Sequence, residues 1–325
     1  MKILIIRLSS IGDIVLTTPI IRCLKKQLPS AELHFLCKPG MKVVVETNPY
    51  IDNVHTFRKD DASLIRRLRE ESFDYVVDLQ KNSRSRRICR RLHRPHTTFP
   101  KLNLRKLLLV VFKWNCMPDI HIVDRYFRAV ARLGVQNDGL GLDFFTEEKD
   151  RQELSCFPLP ETYVALAVGS QHATKRLPLE KLDEIIVGSR LPVVLLGDSR
   201  DALLAEKLEV RYPRHCLNLC GKLSLRASAA CVAGAHTVLT GDTGLMHIAA
   251  AFGKRIISVW GNTVPALGMY PYIPQHPENS LIIENKDCPC RPCSKLGHTH
   301  CPHKHFRCMN GIPSGRIINL LNDEH

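Results

Sequence analysis

Hydrophobic positions along the chain fall into short unbroken runs separated by longer amphipathic stretches. Residues 2–8 form a β-branched apolar run, the mark of a parallel strand buried on both faces. The turn Ser9-Ser10-Ile11-Gly12-Asp13 follows, then a helix-period pattern that carries on to about residue 28. Further strands are predicted at 32–37, 53–57 and 75–79, with helix-period segments between them. This alternation predicts an open α/β sheet with helices on both faces. The pattern restarts after a polar stretch at 146–151 and a proline-containing one at 158–161. Strands predicted near 163–168, 192–196, 237–240 and 255–259 end in Gly169-Ser170, Gly197-Asp198, Gly241-Asp242 and Gly261-Asn262. Two doubly wound, Rossmann-like domains are therefore expected, residues 1–155 and 156–325, the second with a cysteine-rich tail and a C-terminal helix. In such folds ligands sit beyond the carboxyl ends of the strands, and the two sets of turns are expected to face a central cleft.

Composition agrees with that division. A chain of 325 residues suits two domains, each large enough to bury its own core. Hydrophobic residues at 44% and charged ones at 24% are ordinary for a soluble protein and exclude a disordered, collagen-like or disulfide-scaffold chain. The net charge of +14 points to an anionic partner. It is concentrated: residues 81–113 hold eleven Lys and Arg and no Asp or Glu, leaving +3 for the rest. A solvated helix face is the bland reading, but a run so one-sided repels itself, which favours a partner. With 6% aromatic residues and no recognition module, nucleic acid is the weaker candidate for that partner. The N-terminal apolar run is broken by Arg7 and Asp13 and lacks a small-residue cleavage site, which argues against a secretory signal. The apolar run at 107–112 is far too short to span a bilayer. A soluble or peripheral protein of the cytoplasm is expected.

Three turns carry candidate chemistry. In Thr240-Gly241-Asp242-Thr243-Gly244-Leu245-Met246-His247 a strand ends, Asp242 or Thr243 can cap the next helix, and Gly244 permits close backbone approach. The unpaired N–H groups of such a helix start favour a phosphate, and His247 lies four residues beyond Thr243 on the same face. A plain cap on a packed helix is the alternative. Lys175, on the loop begun by Gly169, could neutralise a second phosphate oxygen or be an ordinary surface lysine. Asp13 is either a helix cap or a carboxylate at the mouth of the sheet, placed to accept a proton. A nicotinamide site is excluded, because G-x-G-x-x-G is absent after the first strand and Asp13 would repel a pyrophosphate there.

Several of these segments, taken in order, resemble one family. Arg7-Leu8-Ser9-Ser10-Ile11-Gly12-Asp13-Ile14, His121-Ile122-Val123-Asp124-Arg125-Tyr126 and Lys175-Arg176-Leu177-Pro178-Leu179-Glu180 are similar to glycosyltransferase family 9, the lipopolysaccharide heptosyltransferases. So are Asn218-Leu219-Cys220-Gly221-Lys222, Gly241 to His247, and the tail Arg291-Pro292-Cys293, Cys301-Pro302, His305-Phe306 and Cys308-Met309. The resemblance implies a GT-B fold and inverting, metal-independent transfer of a sugar from a nucleotide donor, typically ADP-heptose, to the inner core of lipopolysaccharide. It implies that Asp13 is the general base, and that Lys175, Asp242, Thr243, Gly244 and His247 bind the donor pyrophosphate. The acid that contacts the donor ribose would be Asp198 or Asp201. Leu177 stands where the family often has an aromatic residue, and Asn262 where a proline often follows the glycine. Since GT-B enzymes hold the acceptor in the amino-terminal domain, Ser9, Ser10 and the basic block, with Arg84, Arg87 and Arg91, become candidates for acceptor and membrane contact. The expected partner is anionic lipid A with its core, at the cytoplasmic face of the inner membrane.

Five of the thirteen cysteines crowd between 288 and 308; the other eight are scattered like small buried hydrophobes. Cys290, Cys293, Cys301 and Cys308, with Cys288 and four histidines nearby, offer enough ligands for structural zinc, although the spacing lacks paired knuckles. A loop of reduced thiols, or one disulfide, is the alternative.

Overall fold

In a computed structural model the described residues are 1–59 and 61–323. They form two compact units: Met1–Lys101 with Ile120–Phe145, and Leu102–Asp119 with Thr146–His325.

The first unit is built on a five-stranded sheet of β1 (Lys2–Ile6), β2 (Glu32–Cys37), β3 (Asn53–Thr56), β4 (Tyr75–Asp78) and β5 (His96–Thr98). All neighbours are parallel, in the order β3-β2-β1-β4-β5. Strand order reverses between β1 and β4, so the turn after β1, which carries Asp13, leaves at the position where open sheets bind ligands. The helix expected to about residue 28 is two pieces, Ile11–Val15 and Thr18–Gln27. The hydroxyls of Thr17 and Thr18 bond back to the Ile14 and Val15 carbonyls, and Pro19, lacking an N–H, restarts the helix in its first turn. Ile120–Phe145 is tied to this unit by buried Arg22, whose guanidinium binds Asp138, Asp143 and the Gly141 carbonyl.

The second unit has six parallel strands, β6 (Val164–Ala167), β7 (Val193–Leu196), β8 (Cys216–Asn218), β9 (Thr237–Gly241), β10 (Arg255–Trp260) and β11 (Ser280–Glu284). Their order is β11-β10-β9-β6-β7-β8. Here the reversal lies between β6 and β9, the strands that end in the Lys175 and Asp242 loops. The helix Glu148–Ser155 belongs to this unit, because Arg226 pairs with Asp150 and Glu147. The division therefore falls at 145/146 rather than 155/156, and Leu102–Asp119 also packs with the second unit. This corrects the reading of 81–113 as one amino-terminal feature: the basic block is split between the units after Lys101.

Close packing in the second sheet is visible at Gly169. A Cβ there would lie 1.9 Å from Asp201 Oδ2, and Asp201 is only 2% exposed. Gly169→Ala is expected to cost about 1–3 kcal/mol by overpacking a pinned side chain. Urea denaturation reads this directly, and an unchanged midpoint would show that Asp201 moves freely. Among the described residues, no helix is long and apolar enough to cross a membrane.

Candidate active site

In the first unit, β1 delivers Arg7 and the following turn delivers Asp13. Arg7 is buried, with Nη2 2.5 Å from Asp13 Oδ1. Its other donors are fixed: Nη1 donates to the Leu79 carbonyl at 2.5 Å and to Tyr126 Oη at 3.1 Å, and Nε donates to the Ser9 carbonyl at 3.1 Å. The Ser10 hydroxyl and N–H donate to Asp13 Oδ2 at 2.7 and 3.1 Å. Asp13 thus receives both serine donors and one guanidinium, yet keeps 23% of its side chain exposed. Burial pushes its pKa up, but the Arg7 charge and the Ser10 hydrogen bonds outweigh this and hold it below the ordinary carboxylate value. It is ionised at neutral pH, positioned on two sides and open to solvent, which are the requirements for accepting a proton.

Sequence reasoning found Ser9, Ser10 and Asp13 here but missed the groups that orient them. Tyr126, from the His121–Tyr126 segment, packs edge-to-face with Phe99, and burial raises its hydroxyl pKa to about 12. Gln80, after β4, accepts from the Leu8 N–H. Lys101 donates to the Gln80 and Lys81 carbonyls; burial and the Arg7 charge hold its pKa below the ordinary lysine value. The signal for Arg7 and Tyr126 was their place in the two N-terminal motifs, which does not disclose that they touch.

The helix Ser83–Leu92 is capped by Asn82, which accepts from the Arg84 and Ser85 N–H groups. Arg84, Arg87 and Arg91 are exposed, spaced i, i+3, i+7 along one face. Arg86 and Arg90, one helical turn apart, instead line an open groove of about 520 Å³ with Lys81, Asp78, Cys89, His96 and Thr98. That groove is a built basic surface which the sequence showed only as undifferentiated charge.

In the second unit, Lys175 Nζ lies 2.6 Å from Asp242 Oδ2, which also accepts from Thr263 Oγ1 at 3.0 Å. The loops meet because β6 and β9 are neighbours. Gly241 allows the close approach: a Cβ there would come within 2.5 Å of the Lys175 carbonyl oxygen. Thr243 is the N-cap of Gly244–Ala251, its hydroxyl 3.0 Å from that of Thr240, and His247 is buried on this helix. The result is a helix start beside a lysine whose charge is balanced by an acid, an arrangement suited to a diphosphate. Asn262 is explained by its contacts. It is buried, accepts from Thr174 Oγ1 and donates to Ser294 Oγ, joining the Lys175 loop to the tail. Leu177 packs against the core of this unit.

Asp198 and Asp201 separate clearly. Asp201 is buried, accepts from the Asp198 N–H and pairs with Arg176, so it braces the turn after β7. Asp198 keeps 49% of its side chain exposed and binds Arg200. Only Asp198 has a carboxylate open to a ligand.

The tail brings together a different set of metal-ligating atoms from the four cysteines expected. Cys290, Cys293 and His303 place theirs within 4.8 Å of one another, with His305 Nε2 3.9 Å and Cys288 Sγ 3.5 Å from Cys290 Sγ. Cys301 and Cys308 are outside that group; Cys308 is buried in the core of the second unit. All thirteen cysteines are free thiols, so the single-disulfide alternative is not formed.

A family profile described as Glycosyltransferase family 9 (heptosyltransferase) matches residues 62–298. The chain belongs to glycosyltransferase family 9. It is an enzyme of that family with the GT-B fold. It is 25% identical to lipooligosaccharide heptosyltransferase 2 of Haemophilus ducreyi, with 99% of each chain covered. The fold resembles that of the family 9 glycosyltransferase of Veillonella parvula, at 20% identity and a TM-score of 0.75, covering 98% of this chain and 95% of that one. The ADP-heptose lps heptosyltransferase II of E. coli gives 19% identity and a TM-score of 0.73, covering 99% and 98%. As family 9 members, both this chain and its relatives are glycosyltransferases.

Proposed function

We propose that the enzyme transfers heptose from ADP-heptose to the inner core of lipopolysaccharide, with inversion at the anomeric carbon. The relatives' names supply the sugar and acceptor class. The observation that carries the chemistry is the ionised, partly open Asp13, fixed by Arg7 and Ser10; the second unit separately offers a helix start guarded by Lys175. In this reading the Asp13 carboxylate takes the proton of the acceptor hydroxyl as its oxygen bonds to the anomeric carbon. The bond from that carbon to the diphosphate oxygen breaks, and the electron pair leaves with ADP. Lys175 and the N–H groups at Thr243, Gly244 and Leu245 stabilise the charge that develops on the leaving diphosphate. Asp242 holds Lys175 in place, His247 supports the helix that presents these donors, and Asp198 is the candidate for the donor ribose. No cofactor enters these steps. A panel of nucleotide sugars offered with core acceptor tests the reading: release of the nucleoside diphosphate is expected to be fastest from ADP-heptose. Equal or greater release from a uridine or guanosine donor would remove it.

The acceptor, lipid A with its core, is anionic and held in a membrane. The enzyme is accordingly placed in the cytoplasm, peripheral on the inner membrane, with the exposed Arg84, Arg87 and Arg91 and the groove of Arg86 and Arg90 as the acceptor-facing charge. Nucleic acid has no place in this reading.

Cys290, Cys293 and His303, with His305 as fourth ligand, are proposed to hold a structural zinc ion, since thiolate and imidazole donors in this number suit a closed tetrahedral site. Purified protein should carry about one equivalent of zinc. His303→Ala should lose it and Cys301→Ser should keep it. Metal-free protein whose stability is indifferent to chelator would overturn the assignment.

A further inference from the structure

Five of the twelve exposed large hydrophobics among the described residues fall within residues 104–114. Leu104 is 69% exposed, Leu107 44%, Val111 56%, Phe112 56% and Trp114 65%. Among the described residues the other exposed large hydrophobics, including Val187, Leu203, Val210 and Leu296 at 68–76%, are spread along the chain rather than gathered in one segment. Leu104, Leu107 and Val111 follow an i, i+3, i+7 spacing along the helical run Asn103–Leu107 and its wider continuation Leu108–Phe112. On the opposite side of that run Leu109 is buried. A contiguous apolar face is normally covered, and this one is exposed.

The segment is anchored rather than loose. Lys113 reaches across to the tail, and its Nζ donates to the carbonyls of Val110, Cys290 and Pro292 at 2.8, 2.9 and 2.8 Å. That lysine, counted among the basic block in the sequence, is exposed but acts as a staple, its ammonium tied to backbone carbonyls. Phe112 and Trp114 pack ring to ring beside it, with centroids 5.9 Å apart. The remaining charges on the segment are Arg105, exposed, and Lys106, half-buried; no Asp or Glu occurs from residue 79 to 118.

We propose that Leu104, Leu107, Val111, Phe112 and Trp114 insert into the headgroup–acyl boundary of an anionic lipid bilayer, the segment lying in the plane of the membrane. An apolar face with basic flanks and an aromatic residue at its end is the pattern of an interfacial anchor, and the helix is much too short to span. Charge chooses the occupant. A second copy, meeting this face with its own, would set the exposed Arg105 of one against that of the other, with no Asp or Glu in residues 79–118 to offset them. The proposal deepens the assignment of a membrane-bound acceptor and rests on it: it transfers the hold on the bilayer from the charged block to an apolar segment of the donor-binding unit.

The full chain is mixed with sugar-free vesicles of phosphatidylethanolamine and phosphatidylglycerol, or of phosphatidylcholine alone, and sedimented. A parallel set carries brominated acyl chains. The protein has two tryptophans, and the other, Trp260, is 1% exposed, so quenching by bromine reports on Trp114. Binding to the anionic vesicles with quenching of Trp114 is expected. Phe112→Ser with Trp114→Ser should lower partitioning by about tenfold or more, with an unchanged circular dichroism spectrum, since both residues are exposed. Binding without quenching, undiminished in the double variant, would leave attachment by charge and overturn insertion. Absence of binding to either vesicle would overturn insertion and membrane attachment together. A wild-type dimer that the double variant dissolves, without vesicle binding, would assign the face to a second copy. Because the vesicles contain neither donor nor acceptor, these outcomes are separate from failure of sugar transfer.

Discussion

Asp13→Asn is expected to reduce sugar transfer by about a thousandfold or more while leaving nucleotide-sugar binding intact. The amide preserves the shape and can still accept from Ser10, but it cannot take the acceptor proton. Calorimetry of donor binding beside steady-state turnover separates the two effects, and full activity in the variant would remove Asp13 as the base. The same change leaves Arg7 buried without its carboxylate, so a fall in melting temperature is also expected. The pH dependence has a definite sign. The folded pKa of Asp13 is lowered, so the carboxylate remains ionised as pH falls through the ordinary Asp value of about 3.9. Its contribution to stability is present above that value and is lost only as pH drops through the lower folded one. An acidic limb of kcat/KM assigned to Asp13 should therefore lie below the ordinary carboxylate range wherever the protein stays folded.

Lys175→Ala has the second large effect expected, a fall of about a hundredfold in kcat/KM for the donor. Two causes act together. The leaving diphosphate loses a cation, and Asp242, largely buried at 14% side-chain exposure, is left unpaired at the helix start and repels the incoming phosphates. A double-mutant cycle divides them: Asp242→Asn on the Lys175→Ala background should recover part of the donor affinity. An unchanged rate at every donor concentration would count against Lys175 in this role. No recovery in the double variant would show that the lysine acts on the donor alone.

The interior strands were legible because parallel strands buried on both faces read as unbroken apolar runs; the residues of β2 are those expected. Three strands were missed, His96–Thr98, Cys216–Asn218 and Ser280–Glu284, and each is an outer strand of its sheet. The first two are three residues long and too short to show a run, whereas the fourth outer strand, β3, was expected at 53–57. Asp13, Lys175 and Asp242 were legible because each follows a strand end with a glycine nearby. Their partners were not, since Arg7 meets Tyr126 across 119 residues and Lys113 meets Pro292 across 179. Contacts of that span depend on the folded chain. The cysteine tail shows the same limit. Spacing nominated Cys301 and Cys308, but the fold buries Cys308 in the core and brings His303 to Cys290 and Cys293 instead. Charge counting was likewise blind to direction: Lys81, Lys101 and Lys113 each turn their ammonium groups onto backbone carbonyls, whereas Arg84, Arg87 and Arg91 face solvent.

The most direct test of the central claim is the anomeric configuration of the product. Purified enzyme is incubated with ADP-heptose and core acceptor, and the new glycosidic linkage is read by nuclear magnetic resonance. One heptose added per acceptor, with configuration opposite to that of the donor and one ADP released per linkage, is the result expected. Retained configuration, or ADP released without any new linkage, would contradict a direct displacement with Asp13 as its base.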